Sequence, residues 1–124
     1  MATILVVADN SSSRTLIDTL QFEHHCIEAD QCVDSALREL RRRRYDLVIV
    51  KKESWALPIQ ALCSDFRSAC PSTAILMVTE RHDMDDLEKA LVSGADDYLD
   101  FAVDPREVKA RVRALARRYV RTYV

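Results

Sequence analysis

The chain has 124 residues, of which 48% are hydrophobic, and this length and composition fit a single domain with a packed core. Its 18 lysines and arginines oppose 20 aspartates and glutamates, so the formal net charge is only −2 and no global field draws the chain toward nucleic acid or a membrane. The apolar runs are too short to span a membrane, and the N-terminus lacks the pattern of a signal peptide. These features predict one cytoplasmic domain, residues 1–124.

The first third of the chain predicts two strand and helix pairs. Ile4–Val7 is a short run of branched apolar residues, which is typical of a strand buried on both faces. Ser11–Ser13 offer caps for a helix whose apolar residues recur from Leu16 to Phe22. Cys26–Ala29 predicts a short second strand, and Val33–Leu40 carries the apolar stripe of a second helix.

The middle of the chain repeats this pattern. Leu47–Val50 has the signature of a buried strand, and Ile59–Phe66 traces an amphipathic helix that Pro71 closes. Ala74–Thr79 predicts a fourth strand, and Met84–Leu91 marks a fourth helix.

The last third completes the alternation. Gly94, the single glycine of the chain, is a natural stop for the fourth helix, and Tyr98–Leu99 begins a fifth strand. Pro105 fits a first helical position, and the apolar stripe of the last helix runs to Tyr119. Five alternating pairs predict an α/β fold of three layers, with a parallel five-stranded sheet in the flavodoxin-like order 2-1-3-4-5.

Four segments resemble, in order and spacing, the marker segments of response-regulator receiver domains: Ile4–Asn10, Asp46–Val50, Ile75–Thr79 and Gly94–Leu99. The resemblance covers nearly the whole chain and implies a CheY-like fold. The segment after Gly94 is most similar to the OmpR/PhoB branch, whose members usually join a receiver to a winged-helix DNA-binding domain. This implies DNA contact only through an output domain outside the chain, with residues 119–124 as the start of a linker to it.

The residues that match the family's phosphorylation pocket depart from its chemistry. Family receivers accept a phosphoryl group on an aspartate at the end of the third strand, aided by Mg²⁺ on acidic residues and by a lysine. Here Lys51 stands at the phosphoacceptor position, the acidic pair is reduced to Ala8 and Asp9, and Phe101 stands at the lysine position. An ammonium cannot accept phosphate in this manner and repels Mg²⁺. The resemblance therefore implies a degenerate, non-enzymatic receiver without metal or cofactor.

Two pairs of residues in this pocket allow alternative interpretations. Lys51 either forms a partly buried ion pair with Asp9 that fills the former metal site, or extends to solvent without a role. Thr79 and Tyr98 match the threonine and the switch aromatic that, in the family, turn inward together on phosphorylation. Ordinary packing of a tyrosine at the edge of the sheet is the alternative.

The OmpR/PhoB resemblance also implies a dimer. In that branch the fourth helix, fifth strand and fifth helix form a twofold face of acidic and basic residues. The matching positions here are Asp96, Asp97, Glu107, Arg111 and Arg118. We expect a homodimer through this face, the alternative being solvated surface charges.

Arg41–Arg44 is the most basic run of the chain. Four arginines at the end of a helix suit its C-terminal dipole, and no interleaved aromatic residues complete a nucleic-acid surface. We expect a solvated helix end rather than a nucleic-acid site.

The four cysteines, Cys26, Cys32, Cys63 and Cys70, show no CxxC spacing. We expect reduced, partly buried thiols, the alternative being a metal site with the nearby His24 and His25 or a redox switch.

Together these features predict an atypical response-regulator receiver that signals through protein contacts without aspartyl phosphorylation. Two alternatives stay open. One is a receiver phosphorylated at another residue, such as Asp46 or Asp100, and the other is a free-standing interaction or sensor module.

Overall fold

The computed structural model describes residues 2–8, 16–21, 25–52, 58–79, 83–100 and 104–120, apart from the side chains at 52 and 118–120. Five parallel strands form one sheet in the order β2-β1-β3-β4-β5, as predicted. They are β1 Thr3–Val7, β2 Cys26–Asp30, β3 Leu47–Lys52, β4 Ala74–Thr79 and β5 Asp97–Asp100.

Helices cover both faces of the sheet. They are α1, of which residues 16–20 are described, α2 Val33–Arg42, α3 Ile59–Ala69, α4 Met84–Ser93 and α5 Pro105–Val120. Strand residues alternate between two apolar clusters, because successive side chains of a strand point to opposite faces. One cluster packs against α2, α3 and α4, and the other against α1 and α5. The predicted flavodoxin-like α/β fold is confirmed.

β3 is longer than its apolar run predicts. The strand continues through Lys51 and Lys52, which lie opposite Val78 and Thr79 of β4. A long neighbouring strand extends the ladder of hydrogen bonds, and this tertiary pairing outweighs the weak strand preference of lysine. Lys51 therefore belongs to the sheet rather than to the loop that the apolar run ending at Val50 predicts.

The ends of α4 explain its boundaries. The side chain of Asp83 accepts hydrogen bonds from the backbone of Asp85 and Asp86, which caps the N-terminus. Gly94 ends the helix with a φ of 134°, a backbone conformation that residues with a side chain rarely adopt. A Cβ at this glycine would lie 2.8 Å from Cβ of Arg67, so the close packing of α4 on α3 also requires glycine.

Arg67 joins α3 to the ends of three other segments. Its guanidinium donates to the carbonyl oxygens of Thr73 at 2.7 Å and of Gly94 at 2.9 Å, and lies 2.6 Å from the carboxylate of Asp96. The same oxygen of Asp96 accepts the backbone N–H of Ile75 at 2.8 Å. These contacts fix the amino ends of β4 and β5 relative to α3 and α4.

None of the described helices is long and apolar enough to cross a membrane.

Candidate functional site

The candidate site lies at the carboxyl edge of the sheet, where β1, β3, β4 and β5 end. Ala8 follows β1 and is fully buried in the cluster that packs against α1 and α5. Its backbone N–H donates to the carbonyl of Asp30 at 3.1 Å. A buried methyl group stands where the family resemblance expects an acidic metal ligand, and a methyl group cannot bind a cation.

Lys51 is the unusual residue of this edge, since only 1% of it is exposed. The interpretation in which its ammonium reaches solvent is therefore wrong. Lys51 takes part in a polar or electrostatic contact, as a buried ammonium requires. Its predicted partner, Asp9, lies outside the described residues, so that ion pair stays a prediction.

Thr79 and Tyr98 are brought together by the ends of β4 and β5. Thr79 Oγ1 donates to Tyr98 Oη at 3.1 Å, and the two residues are 7% and 5% exposed. Both side chains are thus turned inward. Tyr98 also packs in the apolar cluster against α2, α3 and α4, so its burial has an ordinary packing component.

Lys51 and the Thr79–Tyr98 pair lie on different faces of the sheet, because successive residues of a strand point to opposite faces. Lys51 has the parity of Ile49, which packs on the α1 and α5 side of the sheet. Thr79 has the parity of Met77, which packs on the other side. The buried ammonium and the Thr79–Tyr98 hydrogen bond therefore originate from opposite faces of the sheet.

Other residues predicted for this pocket cannot be placed. Asp9 and Phe101 lie outside the described residues. Within the part of the chain that is described, no group of three or more histidine, cysteine, aspartate or glutamate residues is arranged to hold a metal ion.

The residues predicted for the dimer face divide into two groups. Asp97 lies 3.4 Å from Arg111, which in turn lies 3.6 Å from Glu107, so these charges form one string across β5 and α5. Asp96 instead turns into the domain, where it binds Arg67. The side chain of Arg118 is outside the description. The structure brings together three of the five predicted residues.

The sequence patterns did not single out Arg67. Its partners are backbone carbonyls from separate segments together with one carboxylate, and backbone acceptors carry no sequence signature. The only signal is the position of an arginine beside the buried Phe66, near the end of an amphipathic helix.

The two alternative phosphoacceptors lie at opposite edges of the sheet. The carboxylate of Asp46 accepts the backbone N–H of Thr3 at 2.8 Å, at the amino edge and away from the pocket. Asp100 is at the carboxyl edge, in register with Thr79. Only Asp100 therefore lies near the site.

Two arginines at the end of α2 pair with acidic neighbours. Arg43 lies 2.9 Å from Glu28 and stacks over the ring of Tyr45 at 5.0 Å. Hydrogen bonds from Tyr45 and then from Arg43 lower the pKa of Glu28. Arg42 lies 2.8 Å from Glu39. These pairs offset much of the positive charge of the run, which favours the helix-end interpretation over a nucleic-acid site.

The four cysteines are free thiols in the structure. Cys26 and Cys32 are exposed, whereas Cys63 and Cys70 are buried. Burial raises the pKa of Cys63 to about 11 and also raises that of Cys70, so both buried thiols stay protonated near neutral pH.

The fold is that of a receiver-type signalling domain, and comparison with known proteins agrees. The sequence model of the response regulator receiver domain matches residues 4–113. The chain belongs to this family.

Individual relatives support the same assignment. The heme response regulator HssR of Staphylococcus aureus (strain bovine RF122 / ET3-1) is 30% identical over 120 residues, which are 96% of this chain and 53% of HssR. The chain thus spans about half the length of the curated relatives that it matches.

Solved structures share the fold at low sequence identity. A CheY-like receiver domain protein from Methanospirillum hungatei JF-1 has a TM-score of 0.86 at 19% identity, with 98% of each chain covered. NtrX from Brucella abortus has a TM-score of 0.84 at 22% identity over 98% of this chain but only 28% of its own.

Proposed function

We propose that this chain is an atypical receiver that signals through protein contacts and does not use aspartyl phosphorylation. The observation that carries the proposal is the burial of Lys51, 1% exposed, at the position that resembles the family's phosphoacceptor. A buried ammonium offers no carboxylate to attack a phosphoryl group, and its charge opposes Mg²⁺ binding. The domain in this proposal is a non-enzymatic regulatory module.

Two further residues support the proposal. Ala8 replaces an acidic metal ligand with a buried methyl group. Thr79 and Tyr98 are hydrogen bonded and inward, which in the family accompanies phosphorylation, and here this arrangement occurs in a chain without the phosphoacceptor. We infer that the switch pair rests in its inward arrangement and that regulation comes from something other than phosphate.

Incubation with acetyl phosphate and Mg²⁺, followed by intact-mass measurement, tests the proposal. We expect no phosphate adduct on the native chain. We also expect none on Lys51→Asp, because Ala8 and Phe101 still deprive the pocket of its metal ligand and its lysine. An adduct on the native chain would overturn the proposal, and peptide mapping would then show whether Asp100 carries it. An adduct on Lys51→Asp alone would show that one substitution accounts for the loss.

We propose that the domain regulates an attached DNA-binding output domain in the cytoplasm. The OmpR/PhoB resemblance of the segment after Gly94 supports this, as does the span of only half the length of the curated relatives. The full-length protein should then bind a promoter fragment equally well before and after treatment with acetyl phosphate. A change in affinity on treatment would contradict phosphate-independent regulation.

A homodimer through α4, β5 and α5 is a second proposal, favoured by the exposed string of Asp97, Arg111 and Glu107. In a symmetric dimer, any contact that these residues make with the partner is made twice. We expect Arg111→Glu to weaken self-association in analytical ultracentrifugation by about tenfold, since it reverses the charge of Arg111 in both copies of the contact. Arg38→Glu, on the exposed side of α2, is the matched control. A native chain that stays monomeric at all concentrations would contradict the dimer.

A further inference from the structure

The last helix, α5, carries most of its charge on one side. Its 16 residues include six lysines and arginines and one acidic residue, Glu107. At about 100° per residue, four of these cations fall within about 80° of the helix circumference. The four cations, which we call the α5 stripe, are Arg106, Lys109, Arg113 and Arg117.

The α5 stripe is accessible from solvent. Three of its members are exposed, and Lys109 is half-buried. Ala110 and Ala114, beside the stripe, are exposed and small, so they do not hold a ligand away from the cations. Arg106 lies 2.7 Å from Asp104, but both of these side chains are exposed, and such a pair exchanges readily for another anion. The outer side of α5 therefore presents positive charge to a ligand.

The α5 stripe lies apart from the proposed dimer face. Glu107 and Arg111 lie about 100° and about 140° from Arg106 around the helix axis. A dimer through α4, β5 and α5 therefore leaves the stripe of each copy open. The stripe also shares no residue with the pocket around Lys51.

The composition of the α5 stripe selects the kind of ligand. The large apolar residues that are exposed in the described part of the chain all lie on α4, so the stripe has no apolar anchor. Protein interfaces have apolar or aromatic anchors at their centre, and a helix that lies in a membrane surface needs an apolar face. The phosphate backbone of a nucleic-acid duplex, in contrast, is bound largely through lysine and arginine.

We propose that the α5 stripe binds the phosphate backbone of duplex DNA without reading its sequence. From Arg106 to Arg117 the stripe spans about 16 Å, and the phosphates of one strand follow one another about every 3.4 Å along the duplex. Several phosphates are therefore within reach of the four cations. Because the net charge of the chain is −2, the attraction is confined to this side of the domain, and binding is weak and sensitive to salt.

This proposal goes beyond the proposed function, which places DNA contact in an attached output domain. Here the receiver itself holds the duplex, and the contact depends on neither phosphorylation nor the output domain. A phosphate adduct on the chain would overturn the proposed function and leave the charge of the α5 stripe unchanged. The two proposals can therefore fail separately.

The test is a fluorescence anisotropy titration of the chain into two labelled DNA duplexes of about 16 base pairs that differ in sequence. We expect both duplexes to bind with equal affinity at about 20 mM salt. We expect the dissociation constant to rise about a hundredfold by about 100 mM salt, as the neutralisation of about three phosphates predicts. A glutamate-rich peptide provides an acidic protein ligand. It should bind at least tenfold more weakly, because its charges are less dense than those of a duplex.

Variants of the chain locate the site. Arg113→Gln with Arg117→Gln should weaken DNA binding at least tenfold at about 20 mM salt and reduce the dependence of affinity on salt. Arg113→Lys with Arg117→Lys keeps the charge and should bind within about threefold of the native chain. Arg41→Gln with Arg42→Gln removes the same charge from the end of α2, and this matched control should also bind within about threefold. Circular dichroism of each variant checks that the helices are retained.

Three outcomes would overturn the proposal. The first is the absence of binding by either duplex at low salt. The second is an equal loss of affinity for the glutamine variants of α5 and α2, which would mean that binding follows the net charge of the chain. The third is binding of the acidic peptide as tightly as DNA, which would indicate a protein partner. Clearly different affinities for the two duplexes would also contradict recognition of the backbone alone.

Discussion

The two edges of the sheet use polar residues in different ways. At the amino edge, Asp46 and Asp96 accept backbone N–H groups that begin the strands, and Asp96 also binds an arginine. At the carboxyl edge, the buried polar groups of the described residues are the ammonium of Lys51 and the hydrogen-bonded hydroxyls of Thr79 and Tyr98. At the amino edge, carboxylates thus satisfy the backbone at the strand ends, whereas at the carboxyl edge a cation is buried.

This difference separates what the fold needs from what phosphorylation chemistry needs. Backbone groups at the ends of strands must be satisfied in any protein with this topology, so Asp46 and Asp96 have a structural reason to be acidic. The topology places no such demand on the residue at position 51. Substitutions at the amino edge should therefore cost folding free energy, whereas those at the carboxyl edge should reveal how the altered pocket is stabilised.

The strongest test of the amino edge is Arg67→Ala. The change leaves the carboxylate of Asp96 without its cation and removes the donors to Thr73 and Gly94. We expect the free energy of unfolding to fall by about 2–4 kcal/mol, because the pair is mostly shielded from solvent and a charged partner is left behind. Urea denaturation followed by circular dichroism measures this.

Arg42→Ala provides the control for that experiment. Arg42 also pairs with a carboxylate, but its side chain is 75% exposed, so we expect a change within about 0.5 kcal/mol. Equal effects of the two substitutions would show that the contacts of Arg67 are not special and that the amino edge is less structured than the geometry indicates.

At the carboxyl edge, Lys51→Ala and Lys51→Met separate charge from volume. Alanine removes a buried stem and its charge, and we expect a loss of about 2–4 kcal/mol in the free energy of unfolding. Methionine keeps most of the volume, so the loss should be below about 1.5 kcal/mol if the ammonium contributes little net stability. Equally large losses for both would mean that the charge itself holds the pocket together, as the predicted pair with Asp9 requires.

The fold was largely predictable from the sequence, because buried strands and amphipathic helices alternate with clear periodicity. Gly94 and Pro105 marked helix boundaries that the structure confirms. The end of β3 was placed too early, since lysine has a weak strand preference and the pairing with β4 that extends the strand is a tertiary contact.

The candidate site was predictable only in part. Spacing identified Lys51, Thr79 and Tyr98 by their resemblance to the family, yet it did not decide between a buried and an exposed ammonium. That choice depends on the packing around the strand end. The internal role of Asp96 was also missed, because it depends on Arg67, which is distant in sequence.

A smaller effect at the carboxyl edge should come from the pair of Thr79 and Tyr98. Thr79→Val and Tyr98→Phe each remove one hydroxyl of a buried hydrogen bond, and we expect each to cost about 1 kcal/mol. The double variant should cost less than the sum, since the second substitution removes a partner that is already lost. Strict additivity in the double-mutant cycle would indicate that the two hydroxyls are not coupled in solution.

An effect of similar size at the amino edge depends on pH. Tyr45 is 1% exposed and donates a hydrogen bond to Glu28, and burial together with this bond raises the pKa of Tyr45 above its ordinary value of 10.0. A raised pKa means that the folded chain holds the proton more tightly than the unfolded chain does. The stabilisation is therefore complete below pH 10.0 and is lost as the pH rises from there through the pKa of the folded chain.

We expect Tyr45→Phe to be about 1 kcal/mol less stable than the native chain at neutral pH, because it lacks this hydrogen bond. The difference should shrink in denaturation experiments above pH 10.0, since other titrating groups are common to both chains and cancel. A difference that stays constant across this range would show that the hydroxyl of Tyr45 is not held by the amino edge.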